Sequence, residues 1–333
     1  MRRWISPSAP FRIQAVRFVL LLTAVLALLF FNVTQPSARQ YDAVGASVSP
    51  EALQAHVEKL AVEFHPRSHK FVRNLDRAAD YIGEQLRRAG ADVSEQAFAV
   101  KGKTYRNIIA EFGPDTGSRI VVGAHYDSYG DTPGADDNAS GVAGLLELGR
   151  LLGQAELNRR FELVAYTLEE PPHFRTVNMG SVRHAYGHRK ADSDIELMVA
   201  LEMIGCFSDE SGSQRFPSLL LRLFYPDTGN FIGIIGSYGE RKYIREFKAA
   251  MRGASDLPVY SMCATRATPM VSFSDHASYW SNGFPALMIT DTAFMRNHRY
   301  HRQSDLPDTL DYDAMSNVVI GVYGALQRLN TAP

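Results

Sequence analysis

The sequence predicts an α/β fold in which a mostly parallel, mixed sheet carries helices on both faces. Several short segments are apolar throughout, which is typical of strands that are buried on both faces of a sheet. These segments alternate with stretches of helical periodicity, as expected for βαβ units. Three of the apolar segments end in His or Glu, and the carboxyl ends of parallel strands are where such sheets bind ligands.

The elements in the first half of the folded region follow one another closely. They are a helix at 72–86, β-prone segments at 94–100 and 104–112, a buried strand at 118–125 and a helix at 139–152. The first helix is amphipathic, because apolar residues recur at spacings of three and four from Val72 to Leu86, and Gly90 ends it. The strand SRIVVGAH ends at His125.

Three further apolar segments predict strands in the second half. They are FELVAYTLEE at 161–170, ELMVALEMIG at 196–205 and PALMIT at 285–290. The first ends at Glu169 and Glu170, and the second ends near Glu202. A helix with apolar residues between Met315 and Leu326 closes the chain.

The N-terminus carries a membrane signal. The run FVLLLTAVLALLFF at 18–31 holds no charge, and four arginines precede it, at positions 2, 3, 12 and 17. The positive-inside rule therefore predicts a cytoplasmic segment at 1–17 before an anchor helix at 18–33. The polar and small residues at 34–50 predict a linker, and the folded domain follows at 51–333. We expect an uncleaved anchor, because the cleavage site at Ala38 would place Pro36 at position −3. The folded domain would then lie on the periplasmic or extracellular side, and cleavage would instead make it a secreted protein.

Composition excludes several classes of protein. The 35 basic and 36 acidic residues give a net charge of −1, so a nucleic-acid partner is not expected. Cys206 and Cys263 are the only cysteines, too few for a disulfide scaffold. They are expected to be two buried free thiols, with a disulfide between them as the alternative.

The residues at the strand ends suit metal binding. His125 is followed by Asp127, which is close enough to orient its imidazole, and then by PGADDNASG at 133–141. Spacing alone does not choose between Asp136 and Asp137, and helix capping is an alternative use for this turn.

Two adjacent carboxylates, Glu169 and Glu170, end an apolar strand and need a cation or water to receive them. Glu202 ends another strand, and His301 lies in the polar loop RYHRQSDLPDT before the last helix. Two histidines and at least three carboxylates suit a pair of divalent ions, zinc first, with a spare glutamate to accept a proton from water.

These residues resemble the zinc aminopeptidase family that includes bacterial leucyl aminopeptidases and yeast aminopeptidase Y. The matching strings are GAHYDS, PGADDNASG, TLEE, LEMIG, SDHASYW and YHRQSDLPDTLD, in the family's order over residues 121–312. The resemblance implies a zinc-exopeptidase-like fold, a peptidase domain at 51–333, peptide substrates and two zinc ions. It also implies specific roles for single residues. One ion would bind His125 and Glu202, the other Glu170 and His301, with Asp137 bridging both, Glu169 as general base and Asp127 orienting His125.

The chain departs from the family at two places. Glu202 stands where many relatives have Asp. The longer loop PPHFRTVNMGS follows the glutamate pair, and within it Phe174 and Arg175 are predicted to contact the substrate. His276, in SDHASYW, is a further predicted contact near the site, or a structural residue.

Other readings stay open. A one-zinc glutaminyl cyclase shares the fold and much of the ligand set, and carboxypeptidase or dipeptidase activity is an alternative on the same fold. A non-catalytic ectodomain is disfavoured because every expected ligand position holds a competent residue. A serine nucleophile is disfavoured because the chain has no GxSxG motif.

Overall fold

The computed structural model describes residues 9–268 and 270–331, and its central element is one eight-stranded sheet. The strands are β1 (Asp92–Val100), β2 (Lys103–Phe112), β3 (Arg119–His125), β4 (Arg160–Tyr166), β5 (Ile195–Leu201), β6 (Ile232–Ser237), β7 (Val259–Ala264) and β8 (Ala286–Thr290). The helices are α1 (Ala9–Thr34), α2 (Pro50–Glu58), α3 (Val72–Arg88), α4 (Gly141–Leu152), α5 (Gly180–Lys190), α6 (Leu219–Arg222), α7 (Arg241–Ala254), α8 (His276–Ser281) and α9 (Tyr312–Asn330).

The sheet is mixed, in the order β1-β2-β4-β3-β5-β8-β6-β7. Its centre is parallel, because β3 pairs in parallel with both β4 and β5, and β5 pairs in parallel with β8. The strands β1 and β2 add an antiparallel edge, and β6 runs antiparallel to β8. The carboxyl ends of β3, β4 and β5 therefore meet at one edge, as the sequence predicts.

Helices cover both faces of the sheet. Alternate residues of each central strand point to opposite faces, so Val122 and Val199 pack in the larger core with α2, α3, α4, α7 and α9. Val121 and Met198 pack on the other face, against Tyr279 of α8. The predicted fold class, a mostly parallel mixed sheet with helices on both faces, is confirmed.

One predicted strand is too long. β4 ends at Tyr166, three residues before Glu169, and not at the glutamate pair itself. The N–H of Thr167 donates to the side chain of Asn107 in β2 (3.1 Å) instead of to a backbone carbonyl of the sheet, and Leu168 has φ of +60°. The chain has therefore left the sheet before it reaches the two glutamates.

The N-terminal helix α1 is docked on the domain at its last turn. Ile13–Thr34 is long and apolar enough to cross a membrane, and its apolar surface is exposed. Asn32 accepts a hydrogen bond from Arg241 (2.8 Å), and the carbonyl of Thr34 accepts one from Lys248 (2.9 Å). The predicted cytoplasmic segment 1–17 begins in residues 1–8, which lie outside the described residues.

The segment 35–49, most of the predicted linker, has no regular secondary structure and lies along α7. The N–H of Tyr41 donates to the carbonyl of Ala249 (3.1 Å), and Arg252 donates to the carbonyl of Ser37. The carbonyl of Ser47 accepts a hydrogen bond from Arg150 of α4 (2.7 Å). The segment is thus held to the domain along its length.

Candidate metal centre

Three buried side chains from separate elements form a first group of metal-binding atoms. His125 is the last residue of β3, Asp137 lies in the turn before α4, and Glu202 directly follows β5. Nε2 of His125 lies 3.5 Å from Oδ1 of Asp137 and 3.5 Å from Oε2 of Glu202. Ser274 donates from Oγ to Oε2 of Glu202 (2.6 Å), which helps to orient this longer carboxylate arm.

A second group shares Asp137 with the first. Nε2 of His301 lies 3.2 Å from Oδ2 of Asp137 and 3.2 Å from Oε2 of Glu170. The two oxygens of Asp137 therefore face two different histidines. Zinc bonds of about 2.0–2.1 Å in a tetrahedral arrangement separate neighbouring ligand atoms by about 3.3 Å, close to the separations found here.

The unpartnered polar atoms at this site fit a cation. Nε2 of both His125 and His301, Oδ2 of Asp137 and Oε1 of Glu170 are buried and have no hydrogen-bond partner. A buried polar atom left without a partner costs about 1–3 kcal/mol. Divalent zinc would satisfy these atoms, and imidazole with carboxylate is a ligand set that zinc accepts.

Glu169 faces the same centre without joining either ligand group. Its Oε2 lies 3.9 Å from Nε2 of His125. Burial raises the pKa of Glu169 well above its usual value; His125 opposes this rise, and the nearby charges of Glu202 and Glu170 add to it. Burial likewise raises the pKa of Glu170, with Asp137 adding to the rise. These carboxylates would be ionised together only beside compensating positive charge.

Asp127 holds both glutamates and the first histidine. Its two carboxylate oxygens accept the backbone N–H groups of Glu169 and Glu170, each at 3.1 Å. Its backbone carbonyl lies 3.2 Å from Nδ1 of His125, and its carboxylate lies 3.5 Å from the same atom. This pairing explains how two adjacent carboxylates come to face one site after β4 has ended.

His301 is clamped between two aromatic rings. The ring of Tyr129 stacks on it at a centroid distance of 3.9 Å with 5° between the planes, and Tyr300 stacks at 3.7 Å with 19°. The backbone of His301 has φ of +58°, a left-handed conformation uncommon for a residue with a side chain. Sequence reasoning did not identify either tyrosine.

The turn that carries Asp137 is supported by two residues that sequence reasoning also missed. The carboxylate of Asp305 accepts the N–H of Asp136 (3.0 Å) and of Asp137 (3.2 Å). The buried guanidinium of Arg67 donates to the carbonyls of Pro133 and Gly134, each at 2.9 Å. Asp305 stands inside the string YHRQSDLPDTLD, which held the only sequence signal for it, and Arg67 lies outside the matching strings.

Asp136, the neighbour of Asp137, is used differently. Its Oδ1 accepts the N–H of Gly205 (3.0 Å), and its Oδ2 accepts a hydrogen bond from Asn297 (2.7 Å). These bonds tie the turn to the chain after β5 and to the loop before His301. Asp136 thus faces the supporting loops, and Asp137 faces the histidines.

The predicted substrate contacts lie in different environments. Arg175 donates to Oγ of Ser272 (2.8 Å) and lies over the ring of Phe273, with its Cζ 4.7 Å from the centroid. Phe174 packs edge-on against the same Phe273 ring, at 6.1 Å. His276 is buried, with Nε2 2.7 Å from the carbonyl of Val271, so its contacts are structural; burial lowers its pKa to about 4.

An apolar cavity of about 480 Å³ adjoins the centre. Glu202 and Tyr300 line it, and so do Phe216, Leu221, Ile235 and Phe273. Volumes of about 300–1,000 Å³ are usual for small-molecule sites. The cavity therefore has room for an apolar group placed next to the candidate metal ligands.

Both cysteines, Cys206 and Cys263, are free thiols.

Imidazole and carboxylate ligands buried at the carboxyl edge of such a sheet are characteristic of zinc metallopeptidases, and comparison with known proteins agrees. Residues 107–323 match Peptidase family M28, and the chain belongs to this family. The expected resemblance to zinc aminopeptidases is thereby confirmed, and zinc is the metal that the family and its structures indicate.

Two relatives illustrate the range of sequence identity to this chain. The chain is 44% identical over 313 residues to Uncharacterized protein YfbL of Escherichia coli (strain K12), covering 92% of this chain and 95% of that protein. It is 26% identical over 273 residues to Leucine aminopeptidase 1 of Coccidioides posadasii (strain C735), covering 76% of this chain. The match spans only 64% of that aminopeptidase's length.

Two solved structures share the fold. A Zn-dependent exopeptidase from Parabacteroides distasonis superposes with a TM-score of 0.64 at 19% identity, covering 87% of this chain and 100% of that one. A glutaminyl cyclase from Porphyromonas gingivalis superposes with a TM-score of 0.63 at 21% identity, covering 85% and 100%. At these identities the likeness establishes the fold alone.

Proposed function

We propose that this protein is a two-zinc aminopeptidase that removes apolar residues from the N-termini of peptides. The observation that carries the proposal is the sharing of Asp137 between two groups of ligand atoms, each completed by one histidine and one glutamate. The ionised side chains of Asp137, Glu169, Glu170 and Glu202 would carry four negative charges, which two divalent ions would balance. The metal ligands would be His125, Asp137 and Glu202 for one ion and Asp137, Glu170 and His301 for the other.

The chain's own residues define a proton path. Zinc, when bound, supplies a Lewis acid and lowers the pKa of a coordinated water to about 7. Glu169 accepts the proton of the attacking water at its carboxylate and delivers it to the leaving amine. Asp127 keeps that carboxylate in place through the backbone N–H of Glu169. Such general acid–base catalysis contributes about 10²–10⁴-fold to the rate.

The apolar cavity supports the choice of substrate. It begins at Glu202 and Tyr300, so a peptide whose scissile bond lies at the metal ligands would place its first side chain there. The name of the related leucine aminopeptidase points to the same reaction. The anchor α1 would hold this reaction at an extracytoplasmic membrane surface.

The test compares two adjacent glutamates in the full-length protein. Glu169→Gln is expected to lower kcat about 10²–10⁴-fold while zinc per chain, measured by mass spectrometry, stays at the wild-type value. Glu170→Gln makes the same chemical change one residue later and is expected to lower the zinc content. Wild-type activity in Glu169→Gln would reject the assignment of the base, and unchanged zinc in Glu170→Gln would reject the ligand set.

Substrate class is tested on free and N-acetylated peptides. We expect the first residue to be released from the free peptides only. After zinc has been removed, about two zinc equivalents per chain should restore this activity. Ammonia release from peptides with N-terminal glutamine, without peptide cleavage and with one zinc per chain, would assign the protein to the cyclases instead. Release from the carboxyl end would assign it to the carboxypeptidases.

A further inference from the structure

Three leucines near one short helix are exposed to solvent. Leu219 is 76% exposed and Leu223 71% exposed, and Leu220 between them is 39% exposed. Together these residues form what we name the leucine patch. Exposed leucines concentrated on one segment indicate a surface that a protein partner or a membrane covers.

The leucine patch lies beside the N-terminal apolar helix. Phe224, the residue after Leu223, packs edge-on against Phe30 of α1, with 5.5 Å between ring centroids. Phe30 stands four residues before Thr34, the last residue of α1. At a rise of 1.5 Å per residue, this contact is about 6 Å below the end of the helix.

Helix length sets the level of this contact in a bilayer. The 22 residues Ile13–Thr34 would span about 33 Å, and the hydrocarbon core of a bilayer is about 30 Å thick. The last turn of α1 would therefore lie at the boundary between the acyl chains and the headgroups. Polar contacts agree with this level, because Arg241, which is partly exposed, binds Asn32 in the last turn of α1, where cationic side chains meet headgroups.

We propose that the leucine patch enters the lipid interface of the bilayer in which α1 is anchored, on the side of the catalytic domain. The proposal rests on α1 being retained in the mature protein. The occupant of the patch is lipid, because the patch continues the exposed apolar surface of α1 across the Phe30–Phe224 contact. The protein thus has two membrane contacts, one spanning and one interfacial.

The segment with the leucine patch also forms a wall of the apolar cavity. Leu221, which lies between Leu219 and Leu223, lines the cavity that reaches Glu202. The α6 segment therefore has lipid on one side and the cavity on the other. Membrane contact places the cavity next to the lipid surface.

The test labels single cysteines in the full-length protein reconstituted into phosphatidylcholine vesicles. Leu219→Cys and Leu223→Cys each receive an environment-sensitive fluorophore, and the unsubstituted protein controls for labelling of the native thiols. Val177→Cys is the matched control, because Val177 is also 71% exposed and lies in the loop that follows β4, five strands from β7 in the order of the sheet. Leu21→Cys, in the middle of α1, reports whether the anchor is in the bilayer.

The expected result is severalfold stronger quenching by acyl-chain nitroxide lipids at positions 219 and 223 than at 177, with aqueous iodide giving the reverse order. Iodide quenching at 219 and 223 equal to that at 177, with position 21 protected, would overturn the proposal. A water-accessible position 21 would overturn it as well, because α1 would then not be in the bilayer.

A second measurement needs no substitution. A lipid with a photoactivatable acyl chain is expected to crosslink the unmodified protein within the α6 segment, and crosslinks confined to α1 would contradict the proposal. Neither measurement depends on peptide hydrolysis, so failure here leaves the proposed catalytic function untouched.

Discussion

Replacing Asp305 with Asn would test how the bridging carboxylate is held. The two oxygens of Asp305 accept the backbone N–H groups of Asp136 (3.0 Å) and Asp137 (3.2 Å). An amide has one oxygen, so Asp305→Asn loses one of these bonds and turns an N–H₂ group toward a backbone N–H. A hydrogen bond to a charged group contributes about 1.5–3 kcal/mol, which corresponds to about 10–150-fold in a binding constant.

We expect this loss to appear in zinc affinity, because the substitution weakens the turn that positions Asp137. Removal of a residue that orients a metal ligand typically costs about 10–100-fold in affinity. The assay is competition with a chromogenic chelator, followed by peptide hydrolysis at saturating zinc, where activity should return to near the wild-type value. Asp308→Asn is the matched control, since Asp308 is exposed and three residues away.

Equal zinc affinity in Asp305→Asn, Asp308→Asn and the wild type would refute the reasoning, because the hydrogen bonds of Asp305 would then not determine the position of Asp137. A loss of activity that saturating zinc does not restore would also contradict it, since the defect would then lie in catalysis.

Three further predictions concern the cavity and the buried histidine His184 of α5. Arg175→Ala should change side-chain preference across a peptide panel, because Arg175 covers Phe273 in the cavity wall; an unchanged preference would exclude that role. Ile235→Phe should lower kcat/KM for peptides that begin with Phe by roughly tenfold or more, without affecting those that begin with Ala; equal effects on both would contradict the cavity assignment. Burial lowers the pKa of His184 to about 4 from 6.5, so its contribution to stability is lost as pH falls from 6.5 toward 4 and amounts to about 3 kcal/mol. The Tm of His184→Gln should therefore fall less than that of the wild type over this pH range, and parallel Tm curves would show that His184 is not the cause.

Most of what the sequence could predict about the site came from the polar residues at the ends of apolar strands. His125 ends β3 and Glu202 follows β5 directly, so an apolar run and its first polar residue were enough to place them at one sheet edge. Glu169 and Glu170 were placed at the same edge, although the strand before them is shorter than predicted. The direction of their side chains depends on hydrogen bonds to Asp127, which precedes Glu169 by 42 positions and Glu170 by 43 positions in the sequence.

Long-range partners were beyond sequence reasoning. Asp305 reaches the turn of Asp137 across 168 residues, and apart from its place in a matching string nothing in its local pattern separates it from an ordinary loop carboxylate. The region 205–285 was also not resolved into elements, since β6 contains two glycines and β7 mixes polar with apolar residues. Their burial comes from packing against α7 and not from a continuous apolar run.

In a membrane-anchored protein, the docked segment 35–49 would limit where the catalytic domain can act. Fifteen unattached residues could extend about 50 Å and would let the domain sweep a wide volume above the bilayer. The segment is held along α7 by the contacts of Ser37 and Tyr41, so in an anchored protein it would instead keep the domain at one height above the bilayer. The anchored enzyme would then cleave only those peptide N-termini that lie at one distance from the lipid surface.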